Sequence, residues 1–441
     1  MRLRTIMMSA FDHFAERPAL AERRHIPTTN EQISSMDNRV LGAYETLTYK
    51  AVGQRVASVA AQLRSETGTR PSILPGDRVA LLGFAGIDFT TVDFASNLTG
   101  ITTVPLQTSG TYEQQSAVMK ETMPRVLAVT VALLDRAARL VADHASVERV
   151  IILDYRGGES EHHSAVEAAA REISISLEIL DLDNGQYVAD PEHEGTGEDA
   201  LAMLLYTSGS TGTPKGAMYT ERLLAEMWGG EGWSEFFAEA VDVANFHYMP
   251  MSHVAGHSSV RSTLARGGVT YFASTTNLSS FFDDLSLAQP TELSLVPRVC
   301  ELLHQEYQRR LQAIATQPAG KSTPDTDSDA AAMKVLADMR QGTLGGNVQW
   351  ASCTSAPVSA ELKSFMESLL GIELHELYGT TEIGGVLADG RFLRPPVISY
   401  QLHDVPELGY FSSDRPHARG ELLIKSTSTV PGYYNHGWVP R

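Results

Sequence analysis

From Arg78 onward the chain alternates short unbroken apolar runs with stretches whose apolar residues recur at helical spacing. Val79-Ala80-Leu81-Leu82-Gly83-Phe84 precedes a helix-like segment from Asp88 to Asn97. Thr102-Thr103-Val104 precedes another from Tyr112 to Glu121, and Val126-Leu127-Ala128-Val129 a third from Leu133 to Ala142, before the run Val150-Ile151-Ile152-Leu153. Apolar runs of strand length separated by amphipathic helices predict a parallel sheet covered by helices. A second series, Phe246 to Met249, Val269 to Phe272, Leu293 to Val296 and Val348 to Ala351, predicts a second such unit. Thr316 to Asp329, rich in Pro, Ser, Thr and Asp, predicts an exposed loop before a helix from Ala330. Beyond Asp389 the helical pattern stops, and Gly420 to Ser426 predicts a strand. The expected fold is α/β: two lobes with parallel-rich sheets and a cleft between them over residues 1–389, and a small β-rich third subdomain over 390–441.

Between the two series, the apolar run Leu201 to Tyr206 leads into Thr207-Ser208-Gly209-Ser210-Thr211-Gly212-Thr213-Pro214-Lys215-Gly216, after which Glu221 to Trp228 can start a helix. Glycines let backbone approach an anion, hydroxyl and N–H groups donate to phosphate oxygens, and Lys215 adds a full positive charge. A strand followed by this composition predicts a polyphosphate-holding loop. It is not a Walker A loop, because Pro214 and Gly216 occupy the second glycine and Ser/Thr positions.

This loop resembles the signature of the adenylate-forming superfamily, which comprises acyl-CoA synthetases, luciferases and peptide-synthetase adenylation domains. The resemblance implies that the loop holds ATP phosphates while a carboxylate attacks the α-phosphorus. Further motifs follow in order. Ser352-Cys353-Thr354-Ser355-Ala356-Pro357 is similar to the family's small-residue segment beside the adenine, which implicates Ser355, Ala356 and Pro357. Leu377-Tyr378-Gly379-Thr380-Thr381-Glu382-Ile383-Gly384-Gly385 is similar to its aromatic-Gly-hydroxyl-hydroxyl-Glu motif. By that match Tyr378 faces the adenine, Gly379 and Thr380 line the nucleotide, Thr381 meets the α-phosphate, Glu382 holds Mg²⁺, and Gly385 borders the acid. Tyr248 to His257 is similar to the motif at the acyl pocket, which implies a substrate-facing role for His253, with Phe246, Met251 and Ala255 as pocket candidates. A histidine among apolar residues is, in isolation, an ordinary core residue.

Met249 to Val254, Val296-Pro297-Arg298, and Asp404 to Phe411 with Pro431 to Tyr434 resemble the adenylation domain of carboxylic acid reductases. Those proteins load the activated acid on a phosphopantetheine arm and reduce the thioester with NADPH. The resemblance therefore implies ATP and Mg²⁺ as cofactors, phosphopantetheine and NADPH in the whole protein, a small carboxylic acid as substrate, and carrier and reductase domains downstream. The family's ribose-binding Thr-Gly-Asp segment and its C-terminal lid with a catalytic lysine do not follow Tyr434, so an acyl-CoA synthetase-like core without the lid is expected. An acid–CoA ligase and a catalytically silent nucleotide- or acyl-binding module remain alternatives.

Composition narrows the partners. A formal net charge of −18 argues against a nucleic-acid surface, so an ATP site must create its own positive field. The start Met1-Arg2-Leu3-Arg4 leads into no apolar segment, and no apolar run reaches the length of about eighteen residues that a membrane span needs, so a cytoplasmic protein without membrane contact is expected. Cys300 and Cys353 are the two cysteines and read as small buried apolar residues. Gly256-His257-Ser258-Ser259-Val260 lacks the closing glycine of a nucleophile elbow, which excludes a serine-hydrolase reading.

Overall fold

The computed structural model describes residues 2–25, 41–68, 70–180, 182, 197–207, 214–229, 242–275, 279–316 and 324–436. One seven-stranded sheet runs in the order Ser176–Ile179, Arg149–Leu153, Val126–Thr130, Arg78–Leu82, Thr102–Pro105, Leu201–Thr207, Lys215–Thr220. All neighbours are parallel except the last pair. Its central strands are buried on both faces, which is why they read as unbroken apolar runs. Period-two alternation sorts their side chains into two cores. Val79, Leu81, Val126, Ala128, Ile151 and Leu153 join one, while Ala80, Leu82, Leu127, Val129, Val150 and Ile152 join the other. The outer core is closed by helices Tyr112–Thr122, Leu134–Asp143 and Ser160–Glu172.

The second sheet has nine strands, in the order Arg391–Phe392, Gly384–Ala388, Leu374–Thr380, Trp350–Cys353, Glu292–Leu295, Ala244–His247, Val269–Phe272, Pro18–His25, Leu41–Thr48. It is parallel in the middle and antiparallel at both ends. Its inward face contributes Leu20 and Phe272 to the first core; its outward face contributes Phe246, Leu293, Leu295, Ala351 and Cys353 to a third, covered by Phe281–Ala288, Pro297–Ala315 and Ala360–Leu370. Helices Leu3–His13, Tyr49–Arg64, Ile87–Leu98, Glu221–Gly229 and Val254–Ala265 fill the space between the sheets. The two lobes thus share a middle helical layer, a five-layer α-β-α-β-α stack. Phe11, Phe94 and Trp228 interlock there with ring centroids 5.4–6.4 Å apart. Each such pair adds about 0.5–1.5 kcal/mol beyond area burial.

The predicted lobes and their sheets are present, with local differences. A helix spans Pro324–Asp338, so the loop expected up to Asp329 ends earlier; proline is accommodated in a first helical turn, where its missing N–H costs nothing. A strand, Lys215–Thr220, lies between the phosphate loop and the helix from Glu221, so the loop joins antiparallel neighbours. The strands Val348 to Ala351 and Phe246 to Met249 are shifted by about two residues, a normal scatter for boundaries. In the C-terminal part, Val397–His403 pairs antiparallel with Glu421–Ser426 as a separate ribbon.

Three carboxyls meet where the lobes join. Glu22, on the second sheet, accepts from the Ile87 N–H at a helix start, and Asp88 accepts from the Asp154 N–H at 2.8 Å. Burial, and next the Asp88 charge, push the Glu22 carboxyl up to about 7, against the opposing Ile87 N–H, Arg156 and Arg55; Asp88 and Asp154 are raised as well. A folded-state pKa above the unfolded one means that stability from Glu22 is fully present below about pH 4.5 and is lost as pH rises through about 7. Glu22→Gln, which keeps the acceptor for Ile87, is expected to raise the melting temperature at pH 8 by about 2 °C and to flatten its decline between pH 5 and 8. Melting curves across that range check it; an unchanged pH slope would remove Glu22 from the account.

Candidate active site

Three segments distant in sequence converge at one edge of the seven-stranded sheet. The first is the pair of strands that carries the phosphate loop, with Thr207 directly opposite Lys215. Ser208, Gly209, Ser210, Thr211, Gly212 and Thr213 lie outside the described residues. The Tyr206 hydroxyl donates to Glu121 Oε2 at 3.0 Å and anchors the loop's entry.

The second is the hairpin formed by Leu374–Thr380 and Gly384–Ala388, in which Gly379 faces Gly385 and Thr380 faces Gly384. Gly379 is needed here because a Cβ would lie 2.2 Å from the Gly384 carbonyl oxygen. Thr381 and Glu382 occupy the turn, and the Glu382 N–H donates to Thr380 Oγ1 at 3.2 Å. Tyr378 stands half-exposed (50 %) on this hairpin, an aromatic face open to a planar ring.

The third segment closes over the other two. The Val430 N–H donates to the Glu382 carbonyl at 2.8 Å, Met218 N–H to the Gly432 carbonyl at 3.1 Å, and Tyr434 N–H to the Gly216 carbonyl at 2.8 Å. This pairing sets Tyr433 between the two charged candidates. Lys215 Nζ lies 5.6 Å from the centre of its ring, and its hydroxyl donates to Glu382 Oε1 at 2.7 Å. Burial, then the bond to Glu382, push the Tyr433 phenol up to about 12. The Tyr219 hydroxyl donates to the Thr381 carbonyl at 2.6 Å and fixes the same turn from below. Neither tyrosine is marked by sequence chemistry. Tyr433 falls in a recognised stretch, but its role depends on a strand pairing that local periodicity does not announce.

The adenine-segment candidates Ser355, Ala356 and Pro357 are exposed and follow the carboxyl end of the parallel strand Trp350–Cys353. Ser355 has φ +78°, so the backbone turns sharply outward there. Carboxyl ends of parallel strands are where open α/β sheets bind ligands.

The acid-pocket candidates are only partly brought together. His253 is the exposed N-cap residue of Val254–Ala265, with its pKa lowered by surrounding protein, and its N–H donates to the Pro250 carbonyl at 3.1 Å. Ala255 is half-buried on the same helix, and Met251 is buried in the middle layer. Phe246 instead packs with Tyr248 and Phe281 in the third core. The strand alternation sends Phe246 to the sheet face opposite His247, so Phe246 and Met251 do not share a wall. Gly385 is half-buried across from Gly379. Cys300 and Cys353 are buried and free, with sulfurs 4.0 Å apart.

Among the described residues, the group of His and carboxylate side chains with metal-ligand spacing is Glu373, His375 and Asp389, which excludes Glu382. Glu382 presents one oxygen to Tyr433 and retains a second, with Thr380 and Thr381 beside it. An oxygen-only donor set of this kind fits a hard cation that takes most of its ligands from phosphates and water, as Mg²⁺ does.

Residues 27–434 match the family described as AMP-binding enzyme. The chain belongs to the AMP-binding enzyme family. Relatives within it include the carboxylic acid reductases of Segniliparus rugosus, 39 % identical over 98 % of this chain, and Mycobacterium tuberculosis, 39 % identical over 97 %. The chain spans 37 % and 36 % of those proteins, little more than a third of their length. Among solved structures of AMP-binding enzymes, the adenylation domain of the S. rugosus reductase, in complex with AMP and a co-purified carboxylic acid, superposes with TM-score 0.88 at 38 % identity, covering 99 % of this chain and 69 % of that one. Long chain acyl-CoA synthetase 7 of Arabidopsis thaliana is more distant, 25 % identical over 89 % of the chain and 57 % of its own length. The expected α/β architecture and family are thereby established. Among the described residues no helix is long and apolar enough to cross a membrane.

Proposed function

We propose that this chain activates a carboxylic acid with ATP, as the adenylation domain of a carboxylic acid reductase. A carboxylate oxygen forms a bond to the α-phosphorus, the bond from that phosphorus to the bridging oxygen of pyrophosphate breaks, and pyrophosphate leaves with the electron pair. The observation that carries this reading is the junction of Lys215, Tyr433 and Glu382, which places a cation over one aromatic ring and a carboxylate at that ring's hydroxyl, where the strand after the phosphate loop begins. Lys215 stabilises negative charge on the phosphates. Thr381 orients the α-phosphate, and Tyr378 stacks on the adenine beside Ser355, Ala356 and Pro357. Glu382 holds Mg²⁺, which supplies charge neutralisation to the phosphates when bound. His253, neutral at physiological pH because its pKa is lowered, orients the acid without adding a competing charge.

Residues 1–389 form the adenylation core and 390–441 a separate β-rich subdomain in this reading. In the whole protein a carrier domain takes the acyl group on phosphopantetheine, and a reductase domain releases the aldehyde with NADPH. The greater likeness to carboxylic acid reductases than to acyl-CoA synthetases supports this over an acid–CoA ligase. Retention of Lys215, His253 and Glu382 supports it over a silent binding module.

ATP–pyrophosphate exchange, measured on the protein at its native length over a panel of aromatic and aliphatic acids, tests the reading; exchange with none of them would sink it. His253→Ala is expected to lower exchange about 10²-fold, with AMP affinity within threefold of the unmodified protein. An exposed side chain contributes little to packing, so a variant that only lost thermal stability would refute the role.

A further inference from the structure

The middle helical layer contains a fully buried charge network that the adenylation chemistry above does not use. Arg261 and Asp93 are both 0 % exposed and lie in different lobes' helices, Val254–Ala265 and Ile87–Leu98. One Arg261 terminal nitrogen donates to Asp93 Oδ2 at 2.6 Å and to Asn97 Oδ1 at 3.0 Å, and the other lies 2.7 Å from His257 Nδ1. Thr103 Oγ1 donates to Asp93 Oδ1 at 2.9 Å, and Asn97 Nδ2 donates to the Ala202 carbonyl at 3.4 Å. Ala202 belongs to Leu201–Thr207, the strand that leads into the phosphate loop. Arg261 is therefore a node between that strand and the helix capped by His253.

The chemistry of the node fixes more than distance. A guanidinium is always charged and only donates, so His257 Nδ1 must accept from it and the imidazole proton sits on Nε2. Burial, despite the nearby Asp93, lowers the His257 pKa and keeps the ring neutral. Burial alone would raise Asp93, but the Arg261 guanidinium holds it below the usual carboxylate range, so the pair stays charged. His253, His257 and Arg261 are spaced four apart and stack along one side of the helix. The helix that carries Arg261 begins at this turn: the His257 N–H donates to the His253 carbonyl at 3.3 Å, and the His253 N–H to the Pro250 carbonyl at 3.1 Å.

A buried ion pair rarely stabilises a fold more than apolar residues of the same volume would. The alternative use for it is geometric. We propose that Arg261, charge-paired with Asp93, is a positioning residue for the acid side of the reaction: by tying helix Val254–Ala265 to Asp93 and Asn97 it holds the His253 turn at that helix's start in register with the strand entering the phosphate loop. The inference rests on the adenylation reading.

The test compares the unmodified protein at native length with Asp93→Leu/Arg261→Met and with Arg261→Lys. Pyrophosphate exchange is measured with benzoate and octanoate as acid probes, together with AMP binding by calorimetry and melting temperature. The paired apolar variant removes both charges at once, so the fold is expected to persist. The expected result is a KM for the acid raised at least tenfold with KM for ATP and AMP affinity within threefold, and an intermediate acid KM for Arg261→Lys. Acid and ATP constants that stay unchanged, or that worsen together in step with a lowered melting temperature, would overturn the positioning role. If the paired variant does not fold, Arg261→Lys decides by the same acid-against-ATP split. Absence of exchange in the unmodified protein with any acid would overturn the adenylation reading itself, a result distinct from unchanged kinetics in the variants.

Discussion

Glu382→Ala is expected to reduce pyrophosphate exchange by about 10²–10³-fold and to abolish its normal dependence on magnesium concentration, while the protein remains folded. The rate follows from electrostatics: removing one pre-positioned stabiliser of developing charge commonly costs about that much. The persistence of the fold follows from geometry. The turn holding Glu382 is tied by its own backbone, through the Val430 N–H to the Glu382 carbonyl and the Glu382 N–H to Thr380 Oγ1, and neither bond uses the carboxylate. The carboxylate's partner is the Tyr433 hydroxyl, on a half-buried side chain that water can reach. Losing a bond to a charged group costs about 1.5–3 kcal/mol, a local loss that water at this half-buried site partly offsets. Exchange rates titrated with magnesium, beside a circular dichroism melt, separate the two. An Ala variant with unaltered magnesium response would take Glu382 out of the metal role, and one that fails to fold would make the carboxylate a structural group.

The sequence made the lobes legible because parallel strands buried on both faces leave unbroken apolar runs, as at Val79 to Leu82 and Val150 to Leu153. It was silent on Pro18–His25, which joins the second sheet beside Val269–Phe272, because a pairing across such sequence distance leaves no local trace. The site divides along the same line. Lys215, Tyr378, Thr381 and Glu382 stand in contiguous motifs and could be named. Tyr433 and Tyr219 join the candidate site through contacts to Glu382 and Thr381 that only the folded chain creates. The pocket candidate Phe246 shows the limit from the other side: an apolar residue next to a motif can face either way, and only the folded strand shows that this one packs in the third core. The buried network at Arg261 was equally invisible, since charged residues in an amphipathic helix read as solvent-facing until a partner from another lobe is known.

Gly379→Ala is the substitution expected to cost most for the fewest atoms, with exchange reduced at least 10²-fold. The added methyl would sit 2.2 Å from the Gly384 carbonyl oxygen and 2.8 Å from the Gly385 Cα, and both obstacles are backbone, which cannot rotate away. Relief requires the two strands to part or slip, and a slip in this hairpin moves Tyr378, Thr381 and Glu382 together, because the same pairing of Gly379 with Gly385 and Thr380 with Gly384 carries all three. Catalysis tolerates such displacement poorly, since a shift of about 1 Å commonly costs 10²-fold. Gly384→Ala provides the contrast. Its φ is +66° but no atom lies within 4 Å of the added Cβ, so the cost is a left-handed backbone of about 1–2 kcal/mol without displacement of the strands. The pair of variants therefore separates hairpin strain from hairpin geometry. Exchange that falls far more in Gly379→Ala than in Gly384→Ala, at comparable melting temperatures, is the expected outcome, and equal losses in both would mean that the site depends on the stability of this turn and not on its register.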